Sequence, residues 1–355
     1  MNSNKTDYAA MLNDPRFEVT RTLLRSEIVP TRPLKLITSH LARIQQQVAA
    51  RFDAGKFWSE DNSLPIDGAL FVGPSGCGKS FGLRYATQTL PAIDLADGTS
   101  IPSNALYVDT PTVGTVGGLA KEVVRCADGV EMREPKDKDA PGRAIASFAR
   151  HKFTLVAIDE ISRIINRQRH VGTPLAVQSQ LLWTMAIEAL NMPTSPTPIA
   201  MSGLPQVLDS FQIVDKKDDA AKLRREAHRR MQIVVLPDLD LNLDRTMLEG
   251  CIRLYCETAK IKSMLKEDDR IVERLVHASF RQAGSALEWI QKAVALASVR
   301  PRGKLNRQDF AYVYGDMTSA APGANPFLAT QWDRINVAKV APDSFADAID
   351  EEEAA

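Results

Sequence analysis

Residues Gly73-Pro74-Ser75-Gly76-Cys77-Gly78-Lys79-Ser80 place three glycines, a lysine and a hydroxyl at the spacing G-x-x-x-x-G-K-[ST]. Glycine lets a backbone wrap until successive N–H groups, and the N-terminus of a following helix, face one point. What such a point holds is a phosphate chain. Lys79 then offers a cation to the outer phosphate oxygens, and Ser80 offers a hydroxyl to Mg²⁺. A second group closes the apolar run Thr154-Leu-Val-Ala-Ile-Asp159-Glu160, which delivers two carboxylates to the C-terminal end of a strand. Asp159 can bind the metal directly or through water, and Glu160 can orient or activate an attacking water. Together the two groups predict ATP and Mg²⁺ as cofactors and ATP hydrolysis as the reaction.

Two further groups are open to more than one reading. Pro198–Met201 is an apolar run leading into Ser202 and Gly203. Ser202 is either a hydroxyl that senses the γ-phosphate or a turn serine ahead of Gly203 and Pro205. The cluster Lys222-Leu-Arg-Arg-Glu-Ala-His-Arg229-Arg230 is too dense for one buried site. It is either a solvated helix face or the source of an arginine that reaches a neighbouring subunit's nucleotide.

The elements that must position these groups follow from the apolar periodicity. Residues 33 to 53 carry Leu34, Ile37, Leu41, Ile44, Val48 and Phe52 at spacings of three and four, an amphipathic helix. Strands are predicted at Ala69–Val72, Ala105–Val108, Thr154–Ile158, Ile199–Met201 and Ile233–Leu236, alternating with helical segments. That alternation predicts an α/β fold, a parallel sheet with helices on both faces. After Pro237 the strand signal stops, and helical patterns open at or near Asp244, Asp268, Ser285 and Asn306, a small all-α domain. Residues 1–55 read as an N-terminal segment with its helix, 56–237 as the ATPase domain, 238–316 as a helical lid, and 317–355 as a linker and tail. Met317 to Asn325 is rich in small residues, glycine and proline, and little regular structure is expected beyond it.

Bulk properties narrow the class. The 355 residues have zero formal charge, which excludes a protein that coats nucleic acid through net charge alone. The charge is uneven, since residues 342–355 hold six acids and no base, leaving a body of about +6. This tail is either a solvated end or a partner peptide and electrostatic brake on DNA binding. No apolar run approaches the ~20 residues of a membrane span, and the polar start lacks the form of a signal peptide, so no membrane association and a cytoplasmic location are expected. The four cysteines form no C-x-x-C pair and read as reduced thiols.

Taken in order, the chain resembles the AAA+ ATPases, and within them the TniB/TnsC family that regulates DNA transposition. The resemblance spans about residues 30 to 330. It is carried by the preceding helix, GPSGCGKS, LYVDTP with GGLAKEVVRC, TLVAIDEISRI, PIAMSGLPQVL, an arginine just before a strand ending in Leu-Pro, and GANPF near Asn325 to Phe327. It implies that Arg230, with Arg229 as the fallback, is the intersubunit finger, and that Ser202 holds the sensor-one position. The sensor-two arginine of the third lid helix is not evident, because this chain reads Gly284-Ser-Ala-Leu-Glu-Trp; either Arg281 substitutes or ATP binding outweighs slow turnover as the signal.

The family further implies ATP-dependent homo-oligomers, a ring or helical filament on double-stranded DNA, with a transposase and a target-selection adaptor protein as partners. Lys121 and Arg125 lie one turn apart on a predicted helix, with Thr112 and Thr115 in the loop before it. These four either follow a phosphate backbone or are ordinary surface residues. The competing functions are a helicase loader with the same ATPase domain and a nucleotide-gated scaffold in which hydrolysis is incidental. A small-molecule kinase fits least, because the helices follow the sheet without interrupting it.

Overall fold

The computed structural model describes residues 8–56, 66–112, 114–166, 175–211, 219–301 and 303–340. The acidic tail lies outside the described residues. The chain divides into two compact units: a sheet unit of residues 33–73 and 79–236, and a helical unit of residues 1–32, 74–78 and 237–355.

Five runs of β-branched and small apolar residues form the sheet. They are β1 (Gly68–Val72), β4 (Ala105–Asp109), β5 (Leu155–Asp159), β6 (Ile199–Gly203) and β7 (Met231–Val235). The short strands β2 (Ile93–Asp94) and β3 (Ser100–Ile101) make a separate antiparallel pair. The order is β4-β5-β6-β1-β7, and every pairing is parallel. Strands buried on both faces read as continuous apolar runs, and β1, β5 and β6 are buried at every position. Helices cover both faces. All five predicted strands exist, each within two residues of its expected ends; β6 runs on through Ser202 and Gly203, so Ser202 is a strand residue and not a turn residue.

The amphipathic helix spans Arg32–Asp53 and buries Leu34, Ile37, Leu41, Ile44 and Val48. Its Ile37 packs so closely on Gly82, in the helix Lys79–Thr89 that follows the glycine loop, that a Cβ there would stand 2.5 Å from Ile37 Cδ1. The apolar stripe of one helix thereby holds down the first turns of another.

In the helical unit, helices Leu241–Thr258, Ile271–Ala278, Ala283–Val299 and Arg307–Thr318 share a second apolar core. Caps start two of them: Asp240 accepts from Asn242 and Leu243 N–H, and Asn306 with Asp309 forms a reciprocal capping box. Asp244 starts no helix; buried, it accepts Asp240 N–H and pairs with Arg32 Nη2 at 2.6 Å. β8 (Lys262–Ser263) and β9 (Lys304–Leu305) add one short parallel pair.

Residues ahead of Arg32 pack into this unit, with Phe17 and Leu24 in its core and Tyr8 stacked on Tyr312 at 4.4 Å. The stretch expected to be a linker is packed as well. Asn325 donates to Ala311 O at 2.7 Å and accepts Phe327 N–H, seating Phe327 among Trp289, Phe310 and Tyr314. Arg274 then ties this segment down through the carbonyls of Pro326 and Ala329. GANPF is a core plug, and its aromatic residue explains why a run of small residues is not a free linker here.

Among the described residues, no helix is long and apolar enough to cross a membrane.

Candidate functional site

β1 ends at Val72, and the chain turns through Gly73–Gly78 into the helix Lys79–Thr89. Gly76 and Gly78 take φ of +78° and +101°, conformations that a side chain opposes, and a Cβ on Gly78 would meet nothing within 4 Å. The loop therefore keeps open space at the position where the spacing predicts a bound phosphate. Pro74 is half-buried, Ser75 is exposed and Cys77 is buried and in no disulfide. Lys79 is buried under the loop, where Nζ donates to Gly73 O at 2.6 Å, and Ser80 is half-buried in the helix's first turn. A buried ammonium is a strong claimant for an anionic partner.

Two strands away, Asp159 is 1% exposed and its carboxylate is held by three donors. Tyr107 OH reaches Oδ2 at 2.7 Å, Glu160 N–H reaches Oδ1 at 3.0 Å, and the Ser202 hydroxyl donates to Oδ1. Ser202 is fully buried and its single proton is spent on Asp159. Ser202 therefore stands in a strand rather than a turn, with its hydroxyl tied to the carboxylate.

Glu160 follows at φ +58°, a left-handed conformation that is uncommon for a side-chain-bearing residue. Burial pushes its carboxyl above the usual range, while the charge of Lys79 pulls it back. Arg163 Nε stands 4.0 Å from Glu160, and its Nη1 pairs with Asp109 at 2.9 Å.

Sequence reasoning missed Tyr107, Arg84, Arg163 and Asp109. Arg84 donates to Tyr107 OH at 3.3 Å and lies over its ring, which turns the phenol proton toward Asp159. Parallel pairing of β4 with β5 was the available signal, since it sets the polar end of one strand beside the acids of the other.

The residues present fit a magnesium nucleotide. Their oxygens are the hard donors Mg²⁺ requires, from one hydroxyl and two carboxylates, and a cation stands beside them for the phosphates. Among the described residues no three His, Cys, Asp or Glu side chains gather into a metal cage, so phosphate oxygens or water would complete the shell.

The remaining candidates lie elsewhere. Arg230 ends the helix Asp219–Arg230, where it is half-buried and donates to Asn191 Oδ1 of its own chain; Arg229 beside it is exposed. Thr115 caps the helix Val116–Asp128, accepting Gly118 N–H at 2.8 Å and donating to Glu134 at 2.7 Å. Arg125 pairs with Glu122, and Lys121 Nζ lies 3.7 Å from Glu131. Thr112 is exposed. Arg281, one of the two alternatives read for the lid, donates from Nε to Leu239 O at 3.0 Å.

No protein-family model matches the chain, and no curated protein does. Solved structures do. The Orc1 protein of Aeropyrum pernix in complex with DNA aligns at a TM-score of 0.56 and 15% identity, over 86% of this chain and 74% of that one. The Orc2 protein of the same organism, solved as ADPNP–ADP complexes, aligns at 0.52 and 13%, over 85% and 72%. The fold is the AAA+ fold. At these identities the likeness is one of architecture, and the AAA+ parallel sheet with its C-terminal helical region is what it shows.

Proposed function

We propose that this chain is an oligomeric AAA+ ATPase that works on duplex DNA. The observation that carries the reading is the conjunction of the open glycine loop, the buried ammonium of Lys79 and the clamped Asp159 with Glu160 next to it. Backbone N–H groups of residues 75–80 would hold the phosphates, and Lys79 would exchange Gly73 O for their β and γ oxygens. Ser80 and Asp159 would hold Mg²⁺, which when bound draws charge off those oxygens. Glu160 would orient the attacking water and take its proton, a role to which a carboxyl lifted by burial is suited. The ADPNP and ADP found with the Orc2 protein of like fold support an adenine nucleotide.

Within that reading, Arg230 is the arginine supplied to a neighbouring subunit, released from Asn191 on assembly, and exposed Arg229 is the alternative. DNA contact falls to Lys121, Arg125, Thr112 and Thr115. Their ion pairs lie at the surface and are screened by solvent, so phosphate can replace Glu122 and Glu131 at little cost. Residues 56–237 do the chemistry, and 238–316 act as the lid. The resemblance to TniB/TnsC narrows the role to target selection in DNA transposition, with a transposase and an adaptor protein recruited by a ring or filament. A cytoplasmic, nucleoid-associated location goes with it.

A helicase-loader role is the second reading, favoured by the likeness to an Orc1 protein solved with DNA. Both readings require ATP-dependent assembly on duplex DNA, measured by sedimentation with ATP, ADP or no nucleotide. Assembly indifferent to nucleotide sinks both. Capture of a transposase rather than a replicative helicase by the assembled protein separates them.

A further inference from the structure

The tip of the glycine loop is gripped by a helix whose sequence contains no nucleotide motif. Within the helical unit, the N–H groups of Gly284 and Ser285 donate to Gly76 O at 2.7 and 3.3 Å. These are second and third residues of the helix Ala283–Val299, so neither N–H has a partner inside the helix. Approach this close requires glycine. A Cβ on Gly284 would stand 2.5 Å from the Gly76 oxygen, a backbone atom that cannot swing aside.

The turn ahead of the helix is built to make the approach. Phe280 and Arg281 both take left-handed φ, +51° and +61°, a conformation that a side chain opposes unless the surroundings impose it. The surroundings do impose it. Arg281 N–H donates to Val276 O at 2.9 Å, Leu239 N–H donates to Arg281 O at 2.7 Å, and Arg281 Nε returns to Leu239 O. Buried Gln282 adds a bond to Phe280 O at 3.1 Å.

Peptide planarity transmits the grip. In a trans peptide the C=O of residue 76 and the N–H of residue 77 point in opposite directions. With Gly76 O held by the helix, Cys77 N–H points the other way and donates to Pro74 O at 3.4 Å, a long bond within the loop. We propose that Gly284 is a positioning residue for the bound nucleotide: through the Gly76 carbonyl it fixes the peptide plane that aims Cys77 N–H at the phosphates. This inference rests on the proposed nucleotide site.

The test is calorimetry of ATP binding to the full chain as wild type, Gly284→Ala and Ser285→Ala, with melting temperatures of the ligand-free proteins. Gly284→Ala should weaken ATP by about tenfold, the worth of one to two hydrogen bonds, in a protein whose cooperative melting transition shows that it still folds. Ser285→Ala keeps its amide and should bind within about twofold of wild type. Unchanged ATP affinity in Gly284→Ala, or an equal loss in Ser285→Ala, overturns the inference. Should Gly284→Ala not fold, hydrogen exchange of the wild type decides: ATP should slow exchange across residues 283–290, and unaltered exchange overturns it. A wild type that binds no ATP removes the nucleotide site itself, an outcome distinct from a wild type that binds and a variant that binds equally.

Discussion

The carboxylate cluster of the sheet unit and the turn of residues 280–285 in the helical unit are each held together by different means. Around Asp159, side chains from three adjacent strands converge: Tyr107 from β4, Asp159 from β5 and Ser202 from β6. At the turn, backbone atoms make the contact to Gly76, and side chains such as Arg281 and Gln282 only hold the backbone in place. Side-chain chemistry needs particular residue types and leaves a pattern in the sequence. Backbone contact needs only the absence of a side chain at Gly284 and leaves almost none.

Substitution can break that contrast at several strengths. The largest effect is expected from Lys79→Ala, because the phosphates lose a charge-assisted partner worth about 1.5–3 kcal/mol and the loop loses its internal tie to Gly73. ATP affinity by calorimetry should fall by up to about a hundredfold. Affinity equal to wild type would mean that the loop is not a phosphate site. Next comes Glu160→Gln, which keeps the shape and removes the proton acceptor. Turnover should drop by about 10²–10⁴ while the ATP dissociation constant moves little. Parallel loss of binding and turnover would reassign Glu160 to nucleotide holding.

Arg274→Ala probes the opposite region through stability. It strips donors from the carbonyls of Asp269, Pro326 and Ala329 and should cost the helical unit about 2–4 kcal/mol. Hydrogen exchange should quicken over residues 269–335 and stay unchanged in β1, β5 and β6. Equal acceleration in both units would show that they unfold as one. The smallest effect belongs to Ser202→Ala, which takes one of three donors from buried Asp159 and should lower thermal stability by about 1–2 kcal/mol. A phosphate-sensing serine would instead leave the melting temperature alone and slow turnover, and that pattern would restore the reading made from sequence.

The sequence by itself determined the sheet and the loop. Five apolar runs bounded by glycine, proline and acids suffice to place strands, and in β1, β5 and β6 burial on both faces leaves no alternation to confuse them. Likewise, GPSGCGKS and the acids after TLVAI are tied by chemistry to fixed spacings along the chain. Tertiary structure alone decided which neighbour each polar group meets. Ser202 became a clamp because parallel register sets β6 beside β5, and Arg230 met Asn191, 39 residues away in the chain. GANPF became a core plug because Phe327 found three aromatic rings drawn from two helices. The grip on Gly76 depends on two left-handed residues that no local preference selects and that only packing can hold. Spacing along the chain records chemistry that one segment completes alone, whereas a contact between distant segments exists only once the fold has closed the distance.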